Sequence, residues 1–240
     1  MKPVPFLSPN LFWLAFFVVI LAAWWVMYDM AMAMGRRPMN MHDFGPLFVM
    51  WAIMMAAMMG PTFVPTLATY DDLIRSANGT RAGWVGLALG YLGMWVVFAA
   101  GISLIQTMLI DARLLTRMGR SMSDGLSLVL VAAAGLYQFT ALKERCLEHC
   151  RSPMLQFLAH WRPGFGGGVI MGAHHGAYCV VCCWGLMAIG FVGGVMDLLW
   201  MGGATVLMTL EKIPAIGRWL TRPIGLALLA WAAYILAGMI

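Results

Sequence analysis

Apolar residues run along this chain in long blocks, without the strict alternation of a half-buried strand. A membrane-crossing helix needs about 20 mostly apolar residues, and blocks of that kind recur. They are Leu11 to Tyr28, Pro46 to Thr69, Gly83 to Ile110, Gly125 to about Leu142, Gly166 to Gly193, the shorter Val195 to Leu210, and Ile216 to Gly238. The pattern predicts an all-α polytopic transmembrane helix bundle of about seven spans. The fifth and sixth blocks abut at Gly193-Gly194 with no charge between them. Six spans plus a re-entrant element is therefore the alternative.

Polar positions orient the bundle. With the N-terminus inside, ten Lys and Arg residues fall on the cytoplasmic side and five on the other. Basic residues accumulate in cytoplasmic loops, so the count favours a cytoplasmic N-terminus, and a bacterial inner membrane is the expected location. The first block has only Lys2 ahead of it and is too long for a signal peptide, so we read it as a retained span. Gly83, Gly86, Gly90 and Gly93 give the third block a small-residue face of the kind that lets helices approach closely.

Composition agrees. Of the 240 residues, 62% are hydrophobic and 10% charged, and mean hydropathy is +0.83. A soluble domain carries about 25% charged residues. A cytosolic globular enzyme, a disordered chain and a small disulfide-stapled domain are excluded. One membrane domain over residues 1–240 is expected, in contact with lipid and without a linker or repeat. The net charge of +5 is ordinary for basic cytoplasmic loops and implies no nucleic-acid partner.

All five cysteines lie between Cys146 and Cys183. In a helix, residues four and seven apart share a face. Met171, His175, Cys179 and Cys182, with Cys183 beside them, therefore form one stripe, and His174 and Tyr178 lie on the next. Thioether, imidazole and thiol donors select soft ions, copper(I) first and zinc second. One helix cannot surround an ion. Cys146, His149 and Cys150, just after the fourth block, are the candidate second contribution. Buried cysteines often serve as small hydrophobes, but here each group has an adjacent or helically spaced histidine. Cys179 and Cys182 also have redox-dithiol spacing. The third thiol and the histidines favour metal. His160, beside Trp161 and Arg162, reads as structural.

The second block adds Met50, Met54 and Met58 at four-residue spacing, with Met55 and Met59 in the adjoining row. Methionine often only fills core gaps. The functional reading is a relay of weak thioether ligands through Met54, Met55, Met58 and Met59. Met27, Met30, Met32, Met34, Met39, Met41 and His42 carry methionine into the first loop, as a collector of soft cations. Pro61 has no N–H to donate, so Gly60-Pro61 predicts a break in the second helix. Asp197 reads as a helix cap, and Glu211-Lys212 as an interfacial pair. There is no Ser-His-Asp set and no phosphate-binding glycine loop, so ATP is not an expected energy source.

Four blocks carry a family resemblance: Met50-Trp51 through Gly60-Pro61, Tyr137-Gln138-Phe139-Thr140 through Ser152-Pro153, Met171-Gly172 through Cys182-Cys183-Trp184, and Gly194-Val195-Met196 through Glu211-Lys212. The chain resembles an uncharacterised family of predicted metal-binding integral membrane proteins with a Tyr-Cys-x-x-Cys-Cys-Trp motif, over roughly residues 45 to 225. Ala141, Asp197 and Val181 depart from that pattern, which has Pro, Asn and Gly there. The resemblance implies a metal role.

Three functions are carried forward. The first is binding of soft metal, most of all copper(I), for transport or delivery to a membrane metalloenzyme. Cys179, Cys182 and Cys183 would ligate, His175 would complete the shell, and Cys146 and Cys150 would form an entry or exit. The second is a thiol oxidoreductase passing electrons between Cys179/Cys182 and Cys146/Cys150. The third is an accessory subunit of a larger membrane complex.

Overall fold

A helix satisfies its own backbone N–H and C=O groups, which an apolar surrounding requires. The computed structural model, described over residues 9–36 and 43–239, follows that rule. The helices are α1 (Pro9–Arg36), α2 (Phe44–Ser76), α3 (Arg81–Asp111), α4 (Asp124–Tyr137), α5 (Ala141–Arg151), α6 (Pro153–His160), α7 (Gly164–Ala188), α8 (Gly190–Gly193), α9 (Leu198–Lys212) and α10 (Pro214–Met239). Among the described residues there is no strand, only an isolated bridge between Leu115 and Ser121. The all-α expectation holds.

Among the described residues, five helices are long and apolar enough to cross a membrane, or six if α4 and α5 are taken as one bent span. The expectation of about seven is close. The sixth block, as α9, has only 15 residues, and the fourth block turns by 64° between α4 and α5. That turn has a local cause. Thr140 leaves helical geometry, and its side chain caps α5 by accepting from Lys143 N at 3.3 Å. Asp197 caps α9 in the same way, accepting from Trp200 N at 2.9 Å, as its position suggested. Gly194 takes φ +107° between α8 and α9, a backbone state that glycine alone visits readily.

The core is built around α7, which packs on α3, α4, α5 and α9. Small residues bring α3 and α7 together. A Cβ at Gly90 would run into the Val169 carbonyl, and one at Gly172 into the Leu87 carbonyl. Gly93 lies outside this seam, with nothing near its Cβ position. The outer helix α1 is mostly unburied and seats Phe12, Trp13 and Phe16 against Trp84 of α3.

The break expected at Gly60-Pro61 does not occur. α2 continues through Pro61 and Pro65. Pro61 leaves the Ala57 carbonyl, four residues earlier, without its helical donor. The Trp24 indole of α1 donates to that oxygen at 3.0 Å, so a neighbouring helix supplies the missing bond. The methionine-rich stretch also differs from expectation, because α1 stays helical through Arg36 and Met27, Met30, Met32 and Met34 are helical positions. Met39, Met41 and His42 lie outside the described residues.

Candidate metal centre

α5 and α7 carry the thiols and pack side by side. Cys146 and Cys150 are both 5% exposed, while Glu144, Arg145 and Glu148 on the other side of α5 face outward. On α7, Cys179, Cys182 and Cys183 are at most 1% exposed. The sulfurs of Cys150, Cys179 and Cys182 lie within 4.8 Å of one another. Cys150 Sγ is 3.8 Å from Cys182 Sγ, and Cys182 Sγ is 3.4 Å from Cys183 Sγ. A metal–sulfur bond is about 2.3 Å, so three sulfurs in a plane around one ion stand about 4 Å apart. The donor set matches that spacing. Cys146 is buried one turn earlier on α5 and falls outside the group of three.

The electrostatic partner of the group was not anticipated. Lys212, at the end of α9, is 5% exposed. Its Nζ donates to Cys179 Sγ at 2.8 Å and to Thr62 Oγ1 at 2.8 Å. Tyr91 OH lies 3.0 Å from the same sulfur and 3.1 Å from Thr62 Oγ1. Four helices, α2, α3, α7 and α9, thus meet at Cys179. Among the described residues no carboxylate lies within ion-pair distance of Lys212. A buried ammonium needs a counter-charge, and a Cys179 thiolate supplies one. The thiolate is also the form that ligates metal.

The interfacial Glu211-Lys212 pair is therefore corrected. Both residues are inside, and they face different partners. Glu211 accepts from Lys143 Nζ at 3.0 and 2.9 Å, with both side chains 1% exposed. Arg151 donates to the Glu211 carbonyl at 2.8 Å, to Thr221 Oγ1 at 3.2 Å and to Glu144 Oε1 at 3.0 Å. This charged lattice ties α5 to α9 and α10 behind the thiols. A lysine or glutamate in an apolar helix is costly and usually functional, so the signal was present in the sequence but not the partner.

His175 stands one turn before Cys179, 3% exposed. Its Nε2 lies 3.2 Å from Thr66 Oγ1 and its Nδ1 3.0 Å from Gln156 Oε1. Both nitrogens thus face α2 and α6. His149 and His174 are brought together away from the sulfurs, with rings 5.9 Å apart. Met54, Met55, Met58 and Met59 are all at most 1% exposed. Met54 and Met58 border a tight recess with Met187 and Met201, closed in by Trp51 and Trp200, with no room for water.

The comparison with known proteins adds a family. The sequence profile of the PpoB2 family, described as a copper chaperone, matches residues 48–235. The chain belongs to that family. No curated protein and no solved structure matches it. Family membership and a buried group of three thiols agree on copper-related metal handling.

Proposed function

We propose that the protein binds copper(I) as cargo at Cys150, Cys179 and Cys182 and delivers it to a membrane metalloenzyme. Cys183 is an adjacent fourth sulfur for exchange, and Cys146 extends the thiol path along α5. The observation that carries this reading is the Lys212 ammonium on Cys179 with no carboxylate partner among the described residues. Two or three thiolates around a monovalent ion leave negative charge, and a fixed ammonium offsets it in an apolar interior. Closely set thiolate donors suit copper(I), whereas structural zinc takes four donors in a tetrahedron, which Cys183 or His175 would have to complete. Met54, Met55, Met58 and Met59 extend from this centre as a relay of weaker, neutral donors. His175 can complete the shell by exchanging its Thr66 or Gln156 hydrogen bond for the ion. The N-terminus is assigned to the cytoplasm of a bacterial inner membrane, which puts the α5–α6 end on that side.

The test is anaerobic purification with copper and free thiols measured together, on the parent chain, Cys179→Ser and Lys212→Met. Near-stoichiometric copper is expected in the parent. It should be lost in Cys179→Ser and weakened by about tenfold or more in Lys212→Met, with the fold retained because the Cys179 sulfur, left without its ammonium, takes up a proton and becomes neutral. Full copper binding in Lys212→Met would refute the charge argument. The close approach of Cys150 to Cys182 favours a second reading, thiol–disulfide exchange across α5 and α7. Reversible thiol cycling that needs only this pair, without bound copper, would replace the first reading with the second.

A further inference from the structure

Three histidines from three helices meet on the surface where α5, α6 and α7 converge. They are His149 near the end of α5, His160 at the end of α6 and His174 in α7. The His149 and His174 ring centres are 5.9 Å apart, and those of His160 and His174 are 5.6 Å apart. A metal–imidazole bond of about 2.0–2.1 Å places an ion about 3 Å from the ring centre. Two imidazoles on one ion then have centres about 5 Å apart in a tetrahedral arrangement and about 6 Å apart in a linear one. Both measured separations lie in that interval.

The cluster is ordered and reachable. The His149 ring stacks on Tyr178 at 3.9 Å, and the same tyrosine meets His174 edge-on at 4.9 Å. His149 Nε2 is buried and has no hydrogen-bond partner among the described residues. An unmet buried nitrogen is a cost that a ligand removes. His160 and His174 are exposed. Two recesses open there: one of about 130 Å³ bordered by His160 and His174, the other of about 500 Å³ bordered by His149 and His160. Gln156 lines both. Its side chain holds the His149 carbonyl at one end and His175 Nδ1 at the other, so it joins the surface cluster to the interior.

We propose that His149, His160 and His174 form a second metal site, separate from the thiol group, that takes a late first-row ion of borderline softness through imidazole nitrogens. Imidazole suits copper, zinc and nickel, whereas thiolates select softer ions. His149 is next in sequence to Cys150, one of the three clustered thiols. Use of the histidine site as an intake rests on the copper reading above, but the site itself does not.

The probe is Co2+, titrated into the detergent-purified full chain without oxygen after the thiol group has been loaded with copper(I). One equivalent of cobalt is expected, with visible d–d bands and no sulfur-to-cobalt charge transfer. His160→Ala and His174→Ala should each weaken cobalt binding by about tenfold or more, with thiol-bound copper and melting temperature unchanged. Because both side chains are exposed, neither change opens the core. His160→Gln provides a second variant of similar size and should weaken cobalt to the same degree. Unchanged cobalt affinity in these variants would overturn the proposal. So would cobalt bands carrying sulfur charge transfer, or cobalt binding that vanishes in Cys179→Ser and persists in His160→Ala. Loss of cobalt in the histidine variants with no copper on the parent chain would keep this site and reject the copper reading of the thiols.

Discussion

Cys179 and Met58 are both at most 1% exposed, yet their surroundings share almost nothing. Around Cys179 stand an ammonium, a phenol and a hydroxyl, each within hydrogen-bond reach of another member of the set. Behind them lies the Lys143–Glu211–Arg151 lattice. Met58 sits among Met54, Met187, Met201 and two tryptophans. Sulfur chemistry accounts for the contrast. A thiolate carries charge and must be balanced where water is excluded. A thioether is neutral and packs like any adaptable hydrophobe. On the proposed copper reading, tight holding and easy passing of a soft cation would fall to different helical turns of one bundle.

The largest expected effect comes from breaking the balance itself. Lys143→Ala leaves Glu211 buried without its cation and should cost about 3–5 kcal/mol, read as a fall in melting temperature in detergent. The double change Lys143→Met with Glu211→Leu should recover most of that loss. If the single change melts like the parent, the charged half is not held by its ion pair.

A smaller effect separates the sulfurs within the charged half. Cys182→Ser, inside the group of three, should reduce copper affinity by more than about tenfold, and Cys183→Ser by less, a boundary of ~1.4 kcal/mol. Competition with a copper(I) chelator ranks them. Equal losses would enlarge the centre to four thiols.

Trp24→Phe tests the apolar half. It removes the indole donor to the Ala57 carbonyl and should cost about 1 kcal/mol, with copper affinity unchanged. No loss of stability would mean that the carbonyl freed by Pro61 finds another donor.

The smallest equilibrium effect is expected from Met58→Leu. The volumes are similar and no hydrogen bond is lost, so stability should change by less than in Trp24→Phe and bound copper not at all. Only the rate of copper transfer should fall. An unchanged rate would leave these methionines as packing alone.

Much of the architecture was legible because lipid-like surroundings leave few options. Long apolar blocks must be helices, and the glycine face of α3 did mark a close seam with α7. The thiol stripe was legible from helical spacing, since Cys179 and Cys182 had to share a face. The bend at Gln138–Thr140 was missed because apolar character continues through it while Thr140 starts a new helix. The expected break at Pro61 was wrong because its remedy, Trp24, lies on another helix.

The sequence by itself determined the helical class, the clustering of all five cysteines and the identity of the soft donors. Periodicity and composition are local properties, and they suffice for those. Only the tertiary structure decided that Lys212 faces Cys179 across 33 positions, that Glu211 turns away to Lys143 across 68, and that His160 joins His149 and His174. Adjacent residues on a helix point about 100° apart, so neighbours in sequence such as Glu211 and Lys212 acquire different partners. Which partners they meet depends on how α5, α7 and α9 pack, and no local pattern encodes that.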